Sequence, residues 1–212
     1  MNQNEIEITQ IDSYTLGASF CRNSFKIGGS CSFVNKNLNF INVDLRKFSL
    51  DRDNEVCTVK VSDTSHNISI LSMYRATSGN FVHFLNKLEM ILNLLYNSNT
   101  QLIICGDTKM KYLVENKKEK KTIDTLLASY NLTSTIYCPT RIQKNSVTTI
   151  ISIFINISKF EDYIVSPLIN GVVDHNAQLI MINDINLKIQ NSKPRFIRNI
   201  DKYGISDFKI KL

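Results

Sequence analysis

The sequence predicts an α/β protein built as two packed β-sheets, a β-sandwich, with helices on the outside. Strand-length apolar segments are many and helical segments few, the pattern of sheet on sheet rather than of one doubly wound sheet. At 212 residues and 43% hydrophobic content the chain can bury one sizeable core, so one main domain is expected.

Tyr14 to Phe20 and Ser30 to Val34 read as strands, with Lys26-Ile27-Gly28-Gly29 as the turn between them. Val56 to Val61 alternates valine with polar residues, as a half-exposed strand does, and Ile68 to Tyr74 is a denser, more buried run. The polar segment Asp63 to Asn67 is the hairpin loop between them. Ser78-Gly79-Asn80 opens a helix in which Phe81, Phe84, Leu85, Leu88, Ile91, Leu92 and Leu95 recur at helical spacing. That stripe is core rather than a cofactor box, and no small-molecule cofactor is expected. A strand from Gln101 to Cys105 follows, then a second amphipathic helix from Lys121 to Tyr130. Further strands fit Ser134 to Tyr137, Thr148 to Asn156, Asp162 to Val165 and Ala177 to Ile182. Beyond Asn183 the apolar density falls, Pro194 to Arg198 looks like a linker, and Ser206 suits a helix cap.

Composition narrows the function classes. No run of about 18 apolar residues exists, so no membrane-spanning helix is expected. The polar, acidic start Met1-Asn2-Gln3-Asn4-Glu5 is neither a signal nor a transit peptide. The five cysteines are odd in number, widely spaced and mostly in apolar contexts, so they read as reduced thiols of an intracellular protein. The net charge of +6 is partly local, in Lys117 to Lys121 and in the tail from Lys188 to Lys211. Such an excess suits electrostatic contact with DNA, and suits solvated surface lysines as well.

Two strand ends carry chemistry. The run Leu102-Ile103-Ile104-Cys105 stops at Gly106-Asp107, which sets a carboxylate at the C-terminal lip of a sheet. Asp174-His175 places a second carboxylate beside an imidazole. Two such lips can converge on one phosphate and one divalent cation. Singly, each residue has a plainer reading: Asp107 as a turn residue, Tyr74 as a strand-end aromatic, His175 as a loop histidine. His66 and His83 carry no signal.

In order, Met73 to Asn80, Ile103 to Asp107, Pro139-Thr140-Arg141-Ile142, Thr148 to Asn156 and Asp174 to Gln178 form a series that resembles the endonuclease/exonuclease/phosphatase superfamily. Within it the series is similar to the apurinic-type endonuclease domain of non-LTR retrotransposons of the jockey and RTE kind. Gly17 to Arg22 followed by Gly28-Gly29 fits as well. The resemblance implies a four-layer αββα fold, here missing an N-terminal strand. It implies a domain over residues 1–187, and a linker over 188–212 towards a reverse-transcriptase region.

It also implies a Mg²⁺-dependent phosphodiester hydrolase that nicks DNA, with Asp107, Asp174 and His175 as its catalytic residues. Asp107 and Asp174 would form a weak, incomplete metal site, and Tyr74 and Lys109 would bind the substrate phosphate. Lys109 stands in place of the motif's Asn, and Ser152 in place of the Asp that orients the histidine. The metal-binding Glu has no counterpart, since Glu5 and Glu7 lie too close to the Tyr14 strand. These departures predict impaired catalysis, because too few carboxylates remain for Mg²⁺ and His175 loses its partner. The alternative is an inactive nucleic-acid-binding module that retains the fold, and a third reading is an active nuclease or phosphatase working through Lys109. A role on DNA implies the nucleus, any other role the cytoplasm.

Overall fold

A computed structural model describes residues 3–23, 28–62, 66–109, 118–135, 139, 141–143, 146–148, 151–160, 162–168, 176–183 and 185. A short helix α1 (Gln3–Ile8) precedes β1 (Tyr14–Phe20) and β2 (Ser30–Asn35), which pair antiparallel as a separate two-stranded sheet. The central sheet is built from β3 (Phe40–Val43), β4 (Glu55–Ser62), β5 (Asn67–Tyr74), β6 (Gln101–Asp107), β7 (Leu132–Ser134) and β10 (Ile151–Asn156). Its six strands run in the order β3-β4-β5-β6-β10-β7, and β5 and β6 are parallel. Between β5 and β6 runs α2 (Phe81–Leu95), and α3 (Lys118–Ala128) leads into β7. A small hairpin of β8 (Arg141–Gln143) and β9 (Ser146–Thr148) precedes β10, and β11 (Tyr163–Leu168) pairs with β12 (Ala177–Ile182).

The strand period of two sorts the core into layers. Val56, Leu71, Met73, Leu102, Ile104 and Phe154 pack against Phe84, Leu88, Ile91, Leu92, Ile123 and Leu127 of the two helices. The alternate residues face the other way: Cys57 and Val59 meet Ala18 and Val34 of the first hairpin. Ile68, Ile103, Ile153 and Ile155 meet Tyr163, Ile180 and Ile182 of the last hairpin. The predicted packing of sheet on sheet with helices outside is therefore what the chain adopts. Among the described residues no helix is long and apolar enough to cross a membrane.

The element bounds depart from the sequence reading where polar residues conceal them. The helix α3 starts at Lys118, because its first turn, Lys118-Glu119-Lys120, has no apolar periodicity to announce it. The expected strand 134–137 lies at Leu132–Ser134, and the run from Thr148 to Asn156 contributes to both β9 and β10. The short edge strand β3 and the helix α1 had no readable signal. The Ser206 cap and the boundary between 187 and 188 lie outside the described residues.

Asn80 caps α2 as its position predicts, its side-chain oxygen accepting from Val82 N at 2.9 Å and His83 N at 3.1 Å. His83 turns out to be tethered: its Nδ1 lies 2.9 Å from Asp53 Oδ2, while Asp53 Oδ1 accepts from Asn80 N at 2.7 Å. Asn80→Ala is expected to cost about 1 kcal/mol, the worth of an ordinary N-cap, read from the urea midpoint. An unchanged midpoint would show that the Asp53 contacts alone hold the helix start.

Candidate functional site

The site forms along one register row of the central sheet. Glu55, the first residue of β4, is paired with Tyr74, and Tyr74 with Asp107. Both Tyr74 and Asp107 end their strands, so the parallel β5–β6 pairing delivers the two side chains to one lip. Asp174 and His175 lie outside the described residues. Their expected place beside Asp107 is accordingly neither met nor contradicted.

Lys109 bends back onto Asp107. Its backbone N–H donates to Asp107 Oδ1 at 3.1 Å, and its ammonium is ion-paired with Oδ2. Lys109 adopts φ +54, the left-handed region that a non-glycine residue enters only with local support. Both carboxylate oxygens of Asp107 are thus engaged by one residue two positions on. The ammonium also stands 5.7 Å from the Tyr74 ring centroid, and the Arg22 guanidinium 5.6 Å from it. Tyr74 is therefore flanked by two cations.

The lip is tied to its surroundings by residues that sequence reading missed. Arg75 is buried; its backbone N–H donates to Asp107 O, and its Nε to Thr108 O, both at 3.0 Å. Its guanidinium lies 5.6 Å from the Phe81 ring, which links the lip to the start of α2. Glu55, fully buried, holds Arg22 at 2.5 Å and accepts from Arg52 N at 2.6 Å and Gly29 N at 2.5 Å. An arginine beside a glycine doublet and a glutamate opening a strand were visible signals, but their partnership spans 33 residues and needs the fold to reveal it.

His175 lies outside the described residues, so the expected place of Ser152 as the replacement for its orienting Asp is neither met nor contradicted. The register partner of Ser152 is Gly106, one step from Asp107, and a single step turns a side chain to the opposite face. It is buried on the face that Phe154 shares with the helices. The residue paired with Asp107 is Ile151.

A divalent cation does not fit what is described. No group of three or more His, Cys, Asp or Glu side chains able to hold a metal occurs among the described residues, and Asp107 already carries the Lys109 ammonium. Cys105, two residues before Asp107, is a free thiol like Cys21, Cys31 and Cys57. Burial pushes the Cys57 thiol up to about 11, so it is an inert core group at neutral pH.

No family model and no curated protein sequence matches the chain. Solved structures do. The endonuclease domain of TRAS1, a telomere-specific non-LTR retrotransposon, is 14% identical with a TM-score of 0.67, covering 82% of this chain and 81% of that one. An endonuclease/exonuclease/phosphatase family protein from Leptotrichia buccalis is 16% identical with a TM-score of 0.55, covering 82% and 72%. A mannosyl-6-phosphatase from Bacteroides thetaiotaomicron is 12% identical with a TM-score of 0.53, covering 81% and 78%. At such identities the shared property is the arrangement of strands and helices, and by that arrangement this chain has the endonuclease/exonuclease/phosphatase fold and resembles a retrotransposon endonuclease domain.

Proposed function

We propose that the lip around Asp107 binds a nucleic-acid phosphate, and that hydrolysis of the phosphodiester, the reaction class its structural resemblance suggests, is impaired. The observation that carries this is the seat of Lys109 on Asp107. A phosphodiester is anionic and repels an attacking hydroxide, so cleavage needs positive charge that acts on the transition state. Here a cation sits beside the carboxylate permanently, as a lysine rather than as a divalent ion. A lysine retains two further N–H donors when one is used, enough to take a phosphate oxygen, and cannot activate a water molecule as a metal does. Tyr74, one strand over, offers a phenolic hydroxyl to the same phosphate.

Three roles follow from these side chains. Lys109 attracts the phosphate, Tyr74 orients it, and Asp107 holds the ammonium in place. The net charge of +6 supports DNA as the partner, and action on DNA would place the protein in the nucleus. Asp174 and His175 are retained in this reading as further members of the lip, and Mg²⁺ as a weak ligand at best. Residues 188–212 serve as the linker.

Lys109→Asn is the sharpest test. Freed of the ammonium, Asp107 is expected to bind Mn²⁺ at least about tenfold more tightly, the usual scale for a group next to a metal ligand. Electron paramagnetic resonance of free Mn²⁺ would read the change, and Asp107→Ala in the same background should abolish it. The same substitution should lower DNA affinity and flatten its dependence on log salt by about 0.9, one phosphate contact. Supercoiled DNA should stay intact in Mg²⁺ or Mn²⁺ with the unsubstituted protein. Metal-dependent nicking that vanishes in Asp107→Ala would overturn the impairment, and salt-independent DNA binding would overturn the phosphate contact.

A further inference from the structure

Glu55 and Arg22 take no part in the reading above, yet Glu55 lies in the same register row as Tyr74 and Asp107, and Arg22 reaches it from the segment after β1. The Glu55 side chain is 0% exposed and that of Arg22 is 6% exposed. A buried ion pair is a costly way to fasten a hairpin, since apolar residues of similar volume do so as well or better. Its presence here points to a role that apolar contact does not supply.

We propose that Glu55 and Arg22 are positioning residues for Tyr74: the carboxylate pins the guanidinium, and the guanidinium sets the tyrosine ring on the lip. The inference rests on the reading of Tyr74 as a phosphate-facing residue. Arg22 donates Nε to Glu55 Oε1 at 2.6 Å, and its Nη2 stands 2.5 Å from the same oxygen as an ion pair. The hydrogen bond from Nε, with Nη2 drawn to the same oxygen by charge, sets the orientation of the planar guanidinium as well as its place, which a lysine's freely rotating ammonium would not do. Cζ then stands 5.6 Å from the Tyr74 ring centroid, within cation–π range.

The turn after β1 is shaped around this group. A Cβ at Gly28 would fall 2.2 Å from Arg22 Cζ, so the missing side chain is the space that the guanidinium fills. Gly29 sits at φ +102 and turns its N–H onto Glu55 Oε2, closing the turn over the pair. With Lys109 at 5.7 Å from the same ring, Tyr74 is in reach of a cation that follows its own sheet's β6 and of one that follows β1. A staple for the hairpin would need only the bonds from Gly29 and Arg52 to Glu55. The contact of Arg22 with the ring is what connects the pair to the lip.

Incorporation of 3-fluorotyrosine tests this directly. The full chain has eight tyrosines, and Tyr74→Phe assigns the resonance of Tyr74 in the fluorine spectrum. Arg22→Lys keeps the charge and loses the fork; the pair Arg22→Met with Glu55→Met removes both charges together and provides a second variant that leaves no buried ion alone. In each folded variant the Tyr74 resonance is expected to shift while those of Tyr96 and Tyr130, which meet edge to face at 5.4 Å, stay in place. DNA affinity should fall by up to about thirtyfold, the worth of one desolvated cation–π contact, and the fall should disappear when Tyr74→Ala is already present. An unmoved Tyr74 resonance in either folded variant, or the same affinity loss with and without Tyr74, would overturn the positioning role. Movement of every tyrosine resonance would also overturn it, in favour of a general staple. Absence of DNA binding by the unsubstituted protein would defeat the phosphate reading alone, since the fluorine spectrum tests the positioning without DNA.

Discussion

Gly106→Ala is expected to destabilise the protein by about 3 kcal/mol or more and to disorganise the lip, the upper range for forcing atoms into a close-packed interior. The added Cβ would lie 1.8 Å from the carbonyl oxygen of Met73 and 2.7 Å from its carbonyl carbon. Met73 is the register partner of Gly106 on the adjacent parallel strand, and its side chain is buried among the residues beneath α2. Neither strand can withdraw. Retreat of β6 would break its pairing with β10, in which Gly106 faces Ser152, and retreat of β5 would pull Met73 from the core. Asp107 is the next residue, so what strain the sheet does absorb is passed to the carboxylate. Urea unfolding and the DNA titration of the same sample should fall together. An alanine variant with an unaltered midpoint would show that the β5–β6 approach is looser than drawn here.

Glu55→Ala is expected to cost about 3–5 kcal/mol, the scale for removing one partner of a buried ion pair. The loss has two parts. Arg22 would keep its charge in a place 6% exposed, and the N–H groups of Arg52 and Gly29 would lose their acceptor. Glu55→Gln should cost less, because its amide oxygen still accepts one or two of those bonds while its NH₂ group meets another donor. Replacement of both members, Arg22→Met with Glu55→Met, should restore most of the stability lost by the single change. That ordering is specific: a large single loss mostly recovered by the double replacement marks a pair that is dispensable for folding and leaves its effect on Tyr74 as its role. Equal losses in the single and the double variants would instead mark shape, not charge, as what the site requires.

Much of this molecule was legible from local pattern. The helical stripe from Phe81 to Leu95 and its Asn80 cap are where the spacing puts them, because an amphipathic stripe and a cap are properties of neighbouring residues. The strands Tyr14–Phe20 and Ala177–Ile182 agree residue for residue with their apolar runs. So does the meeting of Tyr74 and Asp107, since each terminates a buried run and parallel neighbours joined by one helix end at the same side. The face that Ser152 takes was not legible for an equally physical reason: its strand is apolar on both faces, so alternation does not reveal which residue points to which side.

The sequence by itself determined that strands outnumber helices, that Gly106-Asp107 ends a buried strand, and that a lysine follows two residues later. Only the tertiary structure decided that this lysine folds back onto Asp107, that Ser152 faces the helices, and that Arg22 reaches Glu55 and the Tyr74 ring. Periodicity and caps depend on forces between residues a few positions apart, whereas register, ion pairing and ring contacts depend on which distant segments the whole core forces together.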